Sequence, residues 1–277
     1  MKPAVAFFLP LLLLLPLVAA GQTHSELPFE YGGRFEFELD KKISKGLHLS
    51  LSEELRFADN FTAFNRLHTT VAMSYKLNGN LRVGVGYALI NPYNTSDKAF
   101  ANSRHRVMAD AIATLPLGNW QLSLKERFQS TYRTGAMNEY QNPRTALTLK
   151  SRLKVSYCGL GRLKPFAYVE LRHMLNAPVI KANYNAATSQ YITDEGSRTG
   201  EAGWFLDGFN GSYLNRLRGA LGADYRIDKR NSINVTILAD RVSDKEVDAN
   251  AEGTKLKSYT QQTGFKTWLA CTYKYAF

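Results

Sequence analysis

Arginine residues recur at polar positions that alternate with apolar ones, and they are the side chains with the clearest chemical potential in this sequence. Successive side chains of a β-strand point to opposite faces, so these arginines would line one face of a sheet. The basic candidates are Arg56, Arg66, Arg82, Arg104, Arg106, Arg127, Arg152, Arg172, Arg216 and Arg218. The acidic residues expected on the same face are fewer, namely Glu36, Glu54, Asp110, Glu170 and Asp224.

Such a face has two interpretations. If it encloses a narrow interior, the charges pair across strands, because an unpaired buried charge is costly. If it is wetted, the surplus of arginine raises the local concentration of anions, as rings of basic side chains do in anion pores. We expect a paired network with at most a narrow, anion-preferring passage, which would admit a small anionic solute. The formal net charge of +11 then requires no nucleic acid as a partner.

Catalytic and metal-binding patterns are not found in the sequence. Nucleophilic catalysis needs a hydroxyl or thiol beside a base that a third group orients. None of the histidines stands in such a local arrangement; they are His24, His48, His68, His105 and His173. No His, Cys or carboxylate cluster has metal-ligand spacing, and no Gly-rich phosphate loop follows a strand. We therefore predict no catalytic residue, no metal and no cofactor, and we do not expect an enzyme.

The apolar–polar alternation that positions these charges extends along most of residues 31–277 and is clearest in segments 47–57 and 81–89. The alternating segments run about 10–13 residues, longer than typical soluble strands and sufficient for a tilted membrane strand. The sequence thus predicts an all-β fold, an antiparallel transmembrane β-barrel. Eleven strands can be counted, and because antiparallel closure requires an even number, we expect about 12 strands, within a range of ten to fourteen.

Short and long connections alternate along the chain, as they do between the periplasmic turns and extracellular loops of barrels. The long connections are predicted at residues 91–103, 129–142, 176–212 and 241–262. High aromatic content, with 15 Tyr and 15 Phe, fits the aromatic girdles of such barrels.

An export signal is predicted at residues 1–21, leaving residues 22–277 as the barrel domain. Lys2 is followed by an apolar run over residues 4–17 and by the small residues at 18–20 that signal peptidase accepts. Pro10 and Pro16 interrupt the run, which argues against a membrane helix. The expected location is the bacterial outer membrane, in contact with its lipid.

The last strand carries outward aromatic residues at two-residue spacing, Tyr273, Tyr275 and Phe277. This pattern is similar to the signal by which the outer-membrane barrel assembly machinery recognises its client barrels. We therefore expect that machinery as a partner.

Several segments resemble a family of uncharacterised barrels, the domain-of-unknown-function family 2490. The resemblance rests on residues 47–57 followed by Asp59-Asn60 and Arg66, on residues 74–78 and 81–87, on the Ser-Leu-Lys-Glu-Arg-Phe run at 123–128, and on the closing Tyr-Lys-Tyr. It implies an outer-membrane location and a barrel shape, and it implies no established activity.

Four functional hypotheses remain open at this point. The first is a narrow passive channel or solute-uptake barrel with an anion-preferring lumen. The second is a structural or assembly barrel whose extracellular loops, above all residues 176–212, dock a partner. A lipid-modifying enzyme is the third, and a soluble secreted β-sandwich is the outside alternative.

Overall fold

The computed structural model describes residues 23–182, 184–185, 190–191, 204–251 and 256–277, so the predicted export signal lies outside the described residues. None of the described segments forms a helix long and apolar enough to cross a membrane. The strands are β1 (Thr23–Glu26), β2 (Glu30–Ser44), β3 (Leu47–Ala58), β4 (Ala63–Lys76), β5 (Leu81–Asn94), β6 (Ala99–Phe100), β7 (Arg104–Leu117), β8 (Trp120–Arg133), β9 (Thr145–Tyr157), β10 (Leu163–Ala182), β11 (Tyr184–Asn185), β12 (Gln190–Tyr191), β13 (Trp204–Arg226), β14 (Asn231–Ala249) and β15 (Leu256–Ala276).

One sheet closes on itself to form a barrel, as the alternation predicts. Its strands follow the order β2-β3-β4-β5-β7-β8-β9-β10-β13-β14-β15, and β15 pairs with β2 to complete the circle. The short β6 pairs with β5 outside this path, and β11 and β12 form a separate two-stranded sheet. Within the described residues the closed barrel therefore has eleven strands.

The seam between β15 and β2 is parallel, whereas the other neighbours in the barrel are antiparallel. Its register runs from Lys266 opposite Glu30 to Ala276 opposite Asp40. The expectation of an even strand number assumed antiparallel closure, and this assumption is wrong for the seam. Eleven strands lie within the expected range, and the twelfth strand is not needed because a parallel pair closes an odd-numbered sheet.

Strand β1 extends the seam beyond the start of β2. It pairs in parallel with residues 260–263 of β15, and the backbone N–H of Leu27 donates to the carbonyl of Thr263 at 2.7 Å. Pro28 follows immediately and has no backbone N–H to offer, which explains why the pairing is interrupted there. β1 and β2 thus behave as one interrupted edge along β15.

A strained turn between β3 and β4 holds the other edge of β2. Asp59, Asn60 and Phe61 have positive φ angles of 48°, 59° and 69°, a conformation that is costly for residues other than glycine. The turn lets the N–H of Asn60 donate to the carbonyl of Tyr31 at 3.0 Å, while the side-chain oxygen of Asn60 accepts from Tyr31 N–H at 3.3 Å. It therefore satisfies backbone groups of β2 just beyond the start of its pairing with β3.

The opposite end of the barrel carries the tight turns. Glycines with positive φ occupy three of them, at Gly46, Gly118 and Gly161. In the β13–β14 turn the backbone N–H of Arg230 donates to Asp228 at 2.7 Å, and this bond, with those from Asn231, lowers the pKa of the Asp228 carboxyl below its usual range. Apart from the four-residue β3–β4 turn, the connections at the other end are longer, which agrees with the predicted alternation.

The barrel is apolar outside and polar inside. Outward positions carry large exposed apolar side chains, for example Leu221 at 68 %, Ile237 at 61 % and Val107 at 59 % exposure. Two glutamates interrupt this surface, and each lies beside a hydroxyl of the next strand: Glu53 accepts from Thr69 at 3.0 Å and Glu126 from Ser151 at 2.6 Å. The outward face therefore carries apolar side chains, as the core of a soluble protein does, and the inward face carries polar ones, as its surface does.

The strands on one side are longer than the sequence indicates. Residues 176–182 and 204–212 of the predicted loop 176–212 belong to β10 and β13, and most of the predicted loop 241–262 belongs to β14 and β15. In the extensions of β14 and β15 polar residues occupy both faces, and in those of β10 and β13 the register shifts repeatedly between residues 172 and 180. The period-two signal therefore disappears although the backbone pairing continues. The two long loops are therefore shorter than predicted.

The parallel register can be tested with one introduced cysteine, because native Cys271 lies opposite Phe35 across the seam. In a Cys158→Ser background, Phe35→Cys should form a disulfide with Cys271 on mild oxidation, since directly opposed residues of neighbouring strands approach closely enough. Non-reducing gels of the unfolded protein would show the cross-link as a mobility shift. Phe37→Cys, which faces Tyr273 instead, is the matched control; equal cross-linking of both variants would contradict the register.

Candidate functional site

A row of charges with alternating sign crosses the interior on six neighbouring strands. Each member lies in register with the next on β9, β10, β13, β14, β15 and β2, and the members are Arg152, Glu170, Arg218, Asp240, Lys266 and Glu30. Four contacts along it are close, and the one between Arg218 and Asp240 is described below. Arg152 Nε and Nη2 reach Glu170 Oε2 at 2.8 and 2.5 Å, Arg218 Nη1 lies 3.5 Å from Glu170 Oε1, and Lys266 Nζ lies 2.5 Å from Glu30. Opposite charges directly across strands stabilise a sheet.

Asp240 is the most connected carboxylate of this alternating row. Its two oxygens accept from Arg218 Nε at 2.6 Å and Nη2 at 2.8 Å, and its side chain is only 1 % exposed. Arg216 and Arg34 approach the same carboxylate at 3.5 and 4.0 Å. Asp240 was not among the predicted acidic residues. Its place between Ala239 and Arg241, at a polar position of an alternating segment, nevertheless indicated that it faces inward.

A second set of inward residues forms a ring of like charge, which we call the basic ring. Two register rows build most of it: Arg34, Arg56 and Arg66 lie opposite one another on β2, β3 and β4, and residues 127, 150, 172 and 216 do so on β8, β9, β10 and β13. With Arg106 of β7, the ring consists of Arg34, Arg56, Arg66, Arg106, Arg127, Lys150, Arg172 and Arg216. Like charges directly opposite are destabilising, so this arrangement costs stability.

Carboxylates neutralise only part of the basic ring. Arg56 bonds to Glu54, and Arg127 donates to both oxygens of Asp110 at 2.6 Å. The carboxylate of Asp240 lies within 4.0 Å of Arg34 and Arg216. Four members have no carboxylate oxygen within 4.0 Å among the described residues, and we call them the uncompensated arc: Arg66, Arg106, Lys150 and Arg172. The arc combines four formal positive charges from four different strands.

Buried nitrogen atoms without a hydrogen-bond partner lie in the same zone. Within the described part of the chain they include the Nε atoms of Arg34, Arg172 and Arg216 and Nε2 of His68. His68 is 5 % exposed, and its Nδ1 lies 3.5 Å from a terminal nitrogen of Arg56. Buried polar groups in folded proteins are nearly always hydrogen-bonded, so this zone is short of acceptors.

Buried apolar side chains lie on both sides of the interior. Phe166, Tyr168 and Leu238 form a buried apolar cluster with Trp268 packed against it, on β10, β14 and β15. On the opposite wall Ala88, Ile90 and Met108 are buried, and the inward positions of β4 and β5 include the small residues Ala72, Gly84, Gly86 and Ala88. A cavity of about 280 Å³ lies at the tight-turn end of this wall, lined by Lys76, Arg82 and Gln121 among others.

The remaining predicted residues occupy separate places on the inner face. Glu36 accepts from Thr272 at 3.2 Å, and Asp224 bonds to Asn234 at 2.6 Å and Lys154 at 3.3 Å. Arg104 lies opposite Arg133 toward the end with the long connections. The outward aromatics lie at the tight-turn end, where Tyr273 stacks on Phe37 and Tyr275 on Phe277 with ring centroids 5.7 and 5.8 Å apart.

A connection crosses the other end of the interior. The β8–β9 segment reaches β14, where Asn138 Nδ2 donates to the carbonyls of Ala249 and Asn250 at 3.1 and 3.2 Å and Gln141 bonds to Asp248. It narrows the approach to the basic ring.

Histidines have ordinary polar partners where they are engaged. His48 Nδ1 lies 2.9 Å from Asp40, and His105 Nδ1 lies 2.5 Å from the Tyr87 hydroxyl. No group of three or more His, Cys, Asp or Glu suited to a metal ion occurs in the described segments. The chemistry that the site offers is the electrostatic binding of anions.

Asp240→Asn should destabilise the barrel by about 3 kcal/mol or more, because it leaves the buried Arg218 guanidinium without its charged partner. Urea unfolding of the vesicle-reconstituted protein would measure the change. Asp224→Asn on the neighbouring strand is the control, since Asp224 is 42 % exposed and its ion pair should contribute about 1 kcal/mol or less. Equal losses for the two variants would contradict the central role of Asp240.

Comparison with known proteins adds the family and no activity. The model of the family described as protein of unknown function (DUF2490) matches residues 35–251. This range includes every member of the basic ring except Arg34. No curated protein matches the chain. The match covers most of the chain and nearly all of the barrel strands, and the chain therefore belongs to the DUF2490 family.

Proposed function

We propose that this protein is an outer-membrane barrel that forms a narrow, anion-preferring passage for small solutes. The observation that carries the proposal is the basic ring, in which four of eight cations lack a carboxylate partner among the described residues. A ring of basic side chains lowers the energy of an anion in a pore and raises that of a cation.

The exterior supports the membrane placement. Strands β3, β4, β5, β7, β8 and β9 have 12 to 14 residues, enough for the roughly 9–11 that a tilted strand needs to cross the hydrocarbon layer. Large apolar side chains cover their outward positions, and so large an apolar surface is unfavourable in water. We place the tight turns in the periplasm and the long connections outside the cell.

The same proposal includes export and assembly. Residues 1–21 serve as a cleaved signal peptide, and the outward aromatic residues of β15, with Phe277, serve as the segment that the barrel assembly machinery recognises. Both rest on the sequence patterns together with the outward stacking of Tyr273, Tyr275 and Phe277.

The proposed route follows the β4–β8 wall, where the small inward residues and the cavity lie. Solute would pass beneath the β8–β9 connection, cross the basic ring beside Arg66 and Arg106, and descend along the small residues of β4 and β5. It would leave through the cavity lined by Lys76 and Arg82. Barrels of this size lie between fully packed and openly aqueous ones, which favours a passage of limited width.

Docking of a partner is the second candidate function, and a specific observation favours it. Strands β10, β13, β14 and β15 have 19 to 23 residues and extend well beyond their neighbours at the extracellular end, by roughly 20 Å at the usual rise of a strand. A projecting sheet of this kind offers a surface to another protein. We propose no enzymatic activity, because neither of the engaged histidines, His48 and His105, has both a nucleophile and an orienting group, and the charges instead form pairs or a ring.

Reconstitution in planar bilayers tests the passage directly. In a KCl gradient the protein should give stepwise conductance, and the reversal potential should lie close to the equilibrium potential of chloride because the ring repels potassium. The double variant Arg66→Gln/Arg106→Gln should move that potential toward zero, whereas Lys229→Gln, which removes a charge from an exposed turn, should leave it unchanged. A correctly folded sample without conductance steps, or with cation preference, would exclude the proposed passage.

The odd strand number predicts an unusual topology in the membrane. An epitope tag inserted before Thr23 should be labelled on intact cells, because β1 and β2 begin at the end with the long connections. A tag in the turn at Lys229 should be labelled only after the outer membrane is permeabilised. Labelling of both tags from the same side would contradict an eleven-stranded barrel.

A further inference from the structure

We infer that the uncompensated arc is a discrete binding site for an oxyanion that carries two or more negative charges. The arc comprises Arg66 on β4, Arg106 on β7, Lys150 on β9 and Arg172 on β10, as defined above. The inference rests on the proposed passage and names the class of solute that the passage would take. Its evidence, however, is the local arrangement of these four side chains.

The four charges face one common space although they come from different walls. Lys150 lies directly opposite Arg172 in the register of β9 and β10. Arg106 is close enough to interact electrostatically with Arg66 and Arg172, and Lys150 interacts with Arg106. Glu170 acts on Lys150 and Asp244 acts on Arg172, but neither carboxylate has an oxygen within 4.0 Å of these cations. Arg66 is likewise affected by Arg172, across the interior from β4 to β10. Mutual repulsion of four cations in a poorly hydrated interior is costly, and an anion between them would relieve it.

Hydrogen-bond donors are available at the same place. Arg106 Nε donates to the hydroxyl of Thr131 at 2.9 Å, and Arg66 Nε donates to the side-chain oxygen of Asn65. These bonds fix both guanidinium planes. The terminal nitrogens of both arginines have no acceptor among the described residues. The Nε of Arg172 is buried without any partner in the described chain. Two anchored guanidinium groups and one unsatisfied guanidinium make a preorganised set of donors.

The chemistry of the donors selects the class of anion. A guanidinium presents two parallel N–H groups that match two oxygens of a carboxylate, sulfate or phosphate, and such charge-assisted bonds are stronger than neutral ones. Chloride carries one charge and would leave three of the four cations uncompensated. A doubly charged oxyanion neutralises more of the arc and accepts from several donors at once. Phosphate, sulfate and small polycarboxylates share this chemistry.

Titration calorimetry of the detergent-solubilised barrel tests the site without requiring conductance. At fixed low ionic strength, inorganic phosphate and sulfate should bind with one saturable site, and chloride should compete only weakly. Citrate is the third probe and distinguishes the two classes of oxyanion. Binding of citrate alone would identify the ligand as a polycarboxylate, whereas binding of phosphate and sulfate would identify it as a tetrahedral oxyanion. Heat-modifiable gel migration would confirm that every sample is folded.

Matched variants separate a site from general positive charge. Arg106→Gln and Arg172→Gln should each weaken phosphate binding about tenfold or more, as expected for the loss of one charge-assisted bond. Arg172→Lys should recover only part of the affinity, because it restores the charge without the fork. Arg82→Gln, at the periplasmic end of the same wall, should change the affinity less than about twofold.

The outcomes also separate this inference from the passage. Saturable binding in a barrel that does not conduct would support the site and exclude the passage. Anion-selective conductance without saturable binding of phosphate, sulfate or citrate would leave the passage and overturn the site. Equal weakening by Arg82→Gln and Arg106→Gln would likewise overturn it, because the binding would then reflect only the summed charge of the interior.

Discussion

Closure of the sheet is the constraint from which the other features of this barrel follow. With the apolar outward face in lipid, as we propose, an unpaired strand edge would expose N–H and C=O groups where no solvent can bond to them. The chain meets this constraint with a parallel pair, β15 with β2, and extends the pair through β1. The same register places Lys266 against Glu30 and Lys274 against Glu38 and Asp40, so the seam is also joined from the inside by ion pairs.

Register then decides which charges cooperate and which conflict. Shifting by two residues along β9, β10 and β13 changes the alternating residues Arg152, Glu170 and Arg218 into three cations, Lys150, Arg172 and Arg216. Opposite charges across strands stabilise the sheet, and like charges directly opposite destabilise it. Asp240 links the two, since it pairs with Arg218 and also reaches Arg34 and Arg216 at the ends of the basic ring. The fold thus tolerates a locally unfavourable ring beside a compensating network, a pattern that is typical of functional sites.

The sequence predicted which face each charged residue would occupy far better than which residues would meet. Period-two alternation assigns Arg56 and Leu55 to opposite faces without any knowledge of their neighbours. Contact between Arg34, Arg56 and Arg66 depends instead on the pairing of three strands, which is set by turn geometry and by the bulge after Arg56. The eleven strands counted in the sequence imply a parallel seam, and this seam was missed because closure was assumed to be antiparallel. The extended strands beyond residue 176 were missed because register shifts interrupt the alternation in β10 and β13 and polar residues occupy both faces of the extensions of β14 and β15.

Strand number also decides whether the basic ring can act as a unit. In a narrower barrel the guanidinium groups would be forced together, whereas in a wide one each would be separately hydrated and screened by ions. At eleven strands, Arg66 on one wall still interacts with Arg172 on the other. The apolar cluster of Phe166, Tyr168 and Leu238 narrows the interior on one side, and Ala88, Ile90 and Met108 are buried on the other. An anion at the level of the arc would meet cations from both walls at once, because Arg66 and Arg106 lie on β4 and β7 whereas Lys150 and Arg172 lie on β9 and β10.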